Sequence, residues 1–349
     1  MVEKTRVFIV DDSVLYRKIL ISIISSDPEF EVAGVASTGA AAIAKISLLN
    51  PDVILLDIDM PETDGMVTLC EIRKLQPKLP VIIFSSVCEK SAARAVEAMV
   101  NGANEFVAIS SNMEKIEDSI KFIKTELAHK IKMLKKKASP VLIQSEVKRP
   151  PQGTNPVEKA KIDIIAIGVS TGGPEALLTF FSGLPKDIGV PIVVVQHIPQ
   201  YFTKLLVNRL AMQVKLKVVE ASDEDVIAAN CVYIAPSDFH LTVKREGIQI
   251  KTSLTREPPE NSCRPSVDVL FSSVARVYGR GALAIVLTGM GQDGMKGAIR
   301  INQAGGTVVV QDKPSSVVWS MPGSIVSAGV ADGIFPINEM AVEILRRIK

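Results

Sequence analysis

Histidine and tryptophan are scarce in this sequence: 349 residues hold three His, at positions 129, 197 and 240, and one Trp. So few imidazoles leave few candidates for a general base. Cysteine is also sparse. Cys70, Cys88, Cys231 and Cys263 form no C-x-x-C pair, which argues against a zinc site and a disulfide framework and leaves reduced, mostly buried thiols as the expectation. Charge of one sign is missing: 40 Lys and Arg against 38 Asp and Glu give a formal net charge of +2, so no nucleic-acid partner is expected. No uncharged stretch approaches a membrane span, and the apolar run in MVEKTRVFIVDDS is too short for a signal peptide. A cytoplasmic protein without membrane insertion is the expectation.

The composition itself, 47% hydrophobic and 22% charged, supplies enough apolar surface for two folded domains and excludes disorder as the dominant state. RVFIVDD, FEVAGVAS, DVILLDIDM, PVIIFSS and NEFVAI read as five short apolar strands separated by helices, a pattern that implies a parallel sheet covered on both faces. The segment KIKMLKKKASPVLIQSEVKRPPQGTNPVEKAK then loses apolar periodicity and reads as a tether. His129, at its leading edge, receives no role. This organisation places one domain over 1–124, a linker over 125–160 and a second domain over 161–349. The second is α/β, doubly wound and mostly parallel, with CVYIAPSDFHLTVKREGIQIK expected as an antiparallel hairpin turning at REG.

Asp11 and Asp12 end the first strand and Asp57 ends the third, so a doubly wound sheet brings three carboxylates together beyond its strand ends. Single acids at strand ends are ordinarily loop or cap residues. Three of them repel one another unless a cation neutralises them, and an all-oxygen donor set suits Mg²⁺. With VDDS at 10–13, DIDMPETDG at 57–65 and FSS at 84–86, the first 120 or so residues resemble a response-regulator receiver domain, which implies a flavodoxin-like five-stranded fold. The resemblance implies Asp57 as phosphoryl acceptor, Asp12 and Asp57 as Mg²⁺ ligands with Asp11 beside them, the Asp59 carbonyl as a further ligand, and Ser85 as a phosphoryl contact. It also implies a chemotaxis histidine kinase as phosphodonor. The family normally carries Lys then Pro after the fifth strand, where this sequence has Ile109 and Ser110. Loss of that cation weakens charge neutralisation and its coupling to a switch.

In the second domain GVSTG, residues 168–172, fits G-x-S-x-G between a strand and a helix with Pro174 in its first turn. Such a turn exposes Ser170 and offers the Thr171 amide as an oxyanion donor. Gly-rich turns of this kind more often hold a phosphate. The next strand, however, ends in Gln196 and His197 rather than in the acid a dinucleotide site needs, and Asp293 follows a later strand in LTGMGQDG. Ser, His and Asp at three strand ends suit nucleophile, base and imidazole orienter, with the Met290 amide as a second oxyanion donor. The chain order Ser, His, Asp disfavours the α/β-hydrolase fold. His240, alternating with Leu241 and Val243, reads as structural, and Arg264 remains open.

IGVSTGGPEAL, VVVQHIP, YIAPSDFHL, RPSVDVLF and LTGMGQDG resemble the catalytic domain of protein-glutamate methylesterase, so the two resemblances together cover nearly the whole chain. They imply a chemotaxis response regulator that hydrolyses glutamate γ-methyl esters on methyl-accepting chemoreceptors, with some members deamidating glutamine. Ser170, His197 and Asp293 fall on the family's triad, and no cofactor is implied for this domain. Ser237 and Ser320 stand where Gly is common and are expected to lie away from the triad motifs. Two rivals remain: a receptor-binding module without turnover, and a nucleotide-binding domain, which the missing ribose acid and missing Walker lysine oppose.

Overall fold

A computed structural model describes residues 4–60, 64–86, 89–109, 116–135 and 161–348. The chain divides into two compact units, Met1–Pro140 and Val141–Lys349. The first alternates β1 (Thr5–Val10), α1 (Val14–Ser25), β2 (Phe30–Ala36), α2 (Gly39–Leu49), β3 (Val53–Leu56), α3 (Gly65–Leu75), β4 (Val81–Ser86), α4 (Glu89–Val100), β5 (Glu105–Ile109) and α5 (Ile116–Lys135). Phe8, Ile9, Ile54, Leu55, Ile82 and Ile83 are buried, as apolar strands covered by helices on both faces require. All pairs are parallel in the order β2-β1-β3-β4-β5, the expected flavodoxin-like arrangement. Ser13, Thr38 and Asp64 cap α1, α2 and α3 by accepting from Tyr16, Ala41 and Met66 N–H, which fixes where each helix leaves its loop. Helix α5 continues through Lys135, beyond residue 125 where the loss of apolar pattern places the start of the linker. Residues 136–160 of that linker lie outside the described residues.

The second unit contains β6 (Ile164–Val169), α6 (Gly173–Ser182), β7 (Ile192–Gln196), α7 (Gln200–Gln213), β8 (Lys217–Glu220), β9 (Cys231–Ile234), β10 (His240–Glu246), β11 (Gln249–Thr255), α8 (Val267–Tyr278), β12 (Ala282–Val286), α9 (Met295–Gln303), β13 (Thr307–Gln311), α10 (Ser320–Ser327), β14 (Gly333–Phe335) and α11 (Ile337–Ile348). Seven strands form a parallel sheet in the order β14-β13-β12-β6-β7-β9-β8. The antiparallel element is the β10–β11 hairpin, in register from His240↔Thr255 to Glu246↔Gln249. CVYI, expected within that hairpin, is instead the buried parallel strand β9, because all four of its residues are covered. The hairpin buries Leu241 and Val243 in one core with Val267, Leu270, Phe271 and Val274 of α8.

The thiols depart from expectation. Cys231 is buried, but Cys70 is exposed and Cys263 is half-buried; Cys88 lies outside the described residues. Helix α3 turns Thr68, Leu69 and Ile72 inward, which leaves Cys70 on the opposite face. Among the described residues no helix is long and apolar enough to cross a membrane.

Candidate active site

Strand β6 pairs with β7 on one side and β12 on the other, so the loops leaving these three neighbours meet at the carboxyl edge of the sheet. Ser170 directly follows β6, His197 directly follows β7, and Asp293 lies between β12 and α9. Short bonds lock the loops together. Ser170 N–H donates to Thr288 O at 3.0 Å, and Gln196 Nε2 donates to both Ser170 O and His197 O at 3.0 Å. Gly172 turns the chain with φ +74°, and a Cβ there would stand 2.5 Å from Val317 Cγ2, so the GVSTG turn demands glycine on both counts. Thr171 N–H donates no hydrogen bond among the described residues, while Thr171 O accepts from Thr288 Oγ1 at 2.9 Å.

His197 Nε2 lies 2.9 Å from Asp293 Oδ2. Asp293 is only 2% exposed yet has five donors around it: His197 Nε2 and Val267 N–H on Oδ2, and Ser266 Oγ, Asp268 N–H and Asn261 Nδ2 on Oδ1. Two are amides of the first turn of α8, where the helix dipole favours an anion. Burial acts to raise the Asp293 pKa, but the hydrogen bonds and charge of His197, with those of Val267 N–H and Ser266, bring it down to about 2. Burial likewise pulls His197 down, but Asp293 and Cys263 outweigh it and push the imidazole up to about 9. The ring is thereby oriented: in its neutral form, with Nε2–H given to Asp293, Nδ1 is the acceptor. Ser170 Oγ has no hydrogen-bond partner among the described residues, and the neighbour of Nδ1 is Cys263 Sγ at 3.9 Å.

Several contributors went unforeseen in the sequence. Asn261 and Cys263 come from the segment before α8, which carries no strand or helix pattern, while Ser266 stands at the N-cap of the helix itself. Ser237 and Ser320, expected away from the triad motifs, brace them instead. Ser237 Oγ donates to Ile198 O at 2.6 Å, one residue past His197, and Ser320 Oγ accepts from Gly291 N–H at 3.0 Å and donates to Gly289 O at 3.1 Å, on either side of Met290. A hydroxyl in place of Gly hydrogen there ties down loops that folding brings close. His240 is structural as expected: it is buried, its Nδ1 accepts from Ser266 N–H, and its Nε2 faces Pro258 O. Arg264 is held by Asp238 at 2.7 Å and by the Arg256 and Glu257 carbonyls.

In the first unit, Asp11, Asp12 and Asp57 gather beyond β1 and β3 with carboxylate oxygens within 4.8 Å of one another, a donor set that fits a hard cation such as Mg²⁺. Desolvation, and next to it repulsion among the acids, raises Asp57 to about 7 and Asp11 to about 6 despite backbone hydrogen bonds from Asp59 and Ser13. The Asp59 side chain, which had no expected role beyond its carbonyl, accepts from Ser85 Oγ at 2.9 Å and Ser91 Oγ at 2.7 Å and faces Arg94 Nε at 3.6 Å. Arg94 also contacts Asp64. Ile109 is the last residue of β5, paired with Ser86, and Ser110 lies outside the described residues.

The two sheets and their two clusters define a class: a response regulator whose receiver unit is joined to an α/β output unit. Residues 7–121 match the response regulator receiver domain family, and residues 165–344 match the CheB methylesterase family. A protein of Trichodesmium erythraeum named protein-glutamate methylesterase/protein-glutamine glutaminase is 46% identical over 99% of both chains. One of the same name from Nocardioides sp. is 40% identical, covering 98% of this chain and 95% of the other. The crystal structure of the Thermotoga maritima CheB methylesterase catalytic domain superposes with a TM-score of 0.53 at 40% identity, covering 54% of this chain and 99% of that one. The chain belongs to the protein-glutamate methylesterase/protein-glutamine glutaminase family.

Proposed function

We propose that this chain is a cytoplasmic chemotaxis enzyme that hydrolyses glutamate γ-methyl esters on methyl-accepting chemoreceptors, under control of its receiver. The observation that carries this reading is the 2.9 Å contact of His197 Nε2 with a five-fold bonded Asp293, on strand ends neighbouring that of Ser170. Ser170 Oγ attacks the side-chain ester carbonyl. His197 takes its proton at Nδ1 and returns it to the departing methanol, while Asp293 holds the ring and stabilises the imidazolium. The amides of Thr171 and Met290 receive the oxyanion, an interaction whose loss typically costs about 10²–10³ in rate. Water then cleaves the acyl-enzyme. The same steps on a glutamine side chain release ammonia.

Domain bounds of 1–124 for the receiver and 161–349 for the catalytic part belong to the same reading, with 125–160 joining them. Asp57 accepts the phosphoryl group from a chemotaxis histidine kinase. Asp12, Asp57 and the Asp59 carbonyl would hold Mg²⁺, with Asp11 beside them, and the ion would supply positive charge that lets a carboxylate approach phosphorus. Ser85 then exchanges its bond to Asp59 for one to the phosphoryl group. Where Ile109 brings no cation, Arg94 and Arg17 border the pocket. Methanol release from methylated receptor cytoplasmic fragments tests the whole reading. The full chain should release methanol, faster with a small phosphodonor and Mg²⁺, and Ser170→Ala should not. Hydrolysis retained in Ser170→Ala sinks the assignment, and no release by either form puts the receptor-binding module in first place.

A further inference from the structure

Cys263 has no part in the proposed hydrolysis, yet its thiol is built into the site. Asn261 and Ser262 are both left-handed, with φ +52° and +63°, a conformation that Asn tolerates and that costs more at Ser262. They form a two-residue turn closed by Glu260 N–H to Cys263 O at 3.1 Å and Cys263 N–H to Glu260 O at 2.9 Å. Asn261 Nδ2 anchors the turn to Asp268 at 2.8 Å and to Asp293 at 3.1 Å. The result is a Cys263 Sγ held 3.9 Å from His197 Nδ1, with sulfur, imidazole and Asp293 ligand atoms all within 4.8 Å of one another.

A ring nitrogen whose opposite N–H is fixed by a carboxylate is the arrangement in which imidazole ligates metals. A thiolate with an imidazole is a soft donor pair that selects Zn²⁺ over Mg²⁺. At Zn–S about 2.3 Å and Zn–N about 2.0–2.1 Å, a tetrahedral angle sets sulfur and nitrogen about 3.6 Å apart. The observed separation lies a few tenths of an ångström beyond that, within reach of a small rotation of the thiol. The His197 side chain is 14% exposed and Cys263 is half-buried, so an ion has access. Asp293, already surrounded by five donors, stays behind the ring as its support.

We propose that Cys263 Sγ and His197 Nδ1 form an inhibitory site for a soft divalent cation, Zn²⁺. On binding, the thiol gives its proton to solvent, Zn–S and Zn–N bonds form, water fills the remaining positions, and no electron is transferred. The inhibition rests on the role proposed for His197, because the ion occupies the lone pair that must accept the Ser170 proton. The binding does not.

Co²⁺ separates the two. In the metal-depleted full-length chain, with excess Mg²⁺ present for the receiver acids, Co²⁺ should produce a thiolate-to-metal charge-transfer band. Zn²⁺ should displace it. The band should persist in Cys70→Ser and vanish in Cys263→Ser and Cys263→Ala, whose folding is checked by circular dichroism. Zn²⁺ should also inhibit methanol release reversibly, with the half-inhibiting concentration at least about tenfold higher in Cys263→Ser, each variant referred to its own metal-free rate; a tenfold shift is one affinity decade. A charge-transfer band retained without Cys263, or Zn²⁺ inhibition equal in both forms, overturns the proposal. A band that depends on Cys263 but brings no inhibition overturns the inhibitory role, while loss of the Ser170 assignment leaves the band unchanged.

Discussion

Carboxylates sit at the same place in two parallel sheets, beyond the strand ends at a change of winding direction, and their neighbours move their pKa values in opposite directions. In the receiver, Asp57 rises to about 7 and Asp11 to about 6. In the second unit, Asp293, no less enclosed, falls to about 2. Desolvation is the largest cause in all three, and it always raises a carboxylate pKa. What differs is the company. Asp57 faces Asp11, Asp12 and Asp59, whereas Asp293 faces an imidazole, a hydroxyl, a side-chain amide and the first amides of α8. One cluster sets like charges against one another; the other surrounds a single carboxylate with donors and serves as a fixed negative charge.

The largest break in that contrast is Asp293→Asn, which keeps the shape and removes the charge. By analogy with a serine-protease triad, kcat should fall by about 10⁴. In the wild-type chain the imidazole must be neutral to accept a proton, and Asp293 keeps its pKa near 9, so kcat/KM should climb as pH rises toward that value. The residual activity of Asp293→Asn should reach its plateau at lower pH. Methanol release measured from pH 6 to 10 checks both, and an unchanged acidic limb in the variant contradicts them.

Ser266→Ala removes one donor from Asp293, the single hydrogen bond of that hydroxyl among the described residues. A hydrogen bond to a buried charge contributes about 1.5–3 kcal/mol, so denaturant unfolding of the second unit at pH 7 should show a loss of about 2 kcal/mol. The stability tied to the depressed Asp293 pKa is present above its ordinary value of 3.8 and is lost as pH falls toward about 2. The gap between variant and wild type should therefore narrow below about pH 4.

Asp57→Asn acts in the other direction. Removing one of three crowded acids should raise the melting temperature of the receiver transition in Mg²⁺-free buffer by a few degrees, the scale of about 1 kcal/mol in a domain of this size. The gain should shrink when Mg²⁺ is added, since only the wild type then has its repulsion neutralised. A destabilised variant in Mg²⁺-free buffer would show that the carboxylates do not repel as their raised pKa values require.

The same contrast governs how much was readable from the sequence. Strands ending in DD, D, Q-H and V-S are local patterns, so the receiver fold, the parallel second sheet and the positions of Ser170, His197 and Asp293 all follow from short motifs. Strands β8 and β14 escaped because KVVE and GIF are too short and mixed to show a period, and β9 was misassigned because an apolar run beside a hairpin does not reveal which sheet it joins. The partners of Asp293 escaped for another reason. Asn261, like the neighbouring Cys263, reaches the site through a turn built on two left-handed residues, and although Asn tolerates that conformation, Ser at the second position gives no sign of it in sequence. Ser320 and Asp59 likewise act through contacts closed only by the tertiary fold.

The central claim is that Ser170 is a nucleophile made reactive by His197 and Asp293. Labelling of the full-length chain with a fluorophosphonate, followed by peptide mass spectrometry, tests it most directly. The adduct should fall on Ser170, form faster as pH rises toward 9, and be lost in His197→Gln. Labelling at another residue, or at Ser170 with equal speed in His197→Gln, would contradict it.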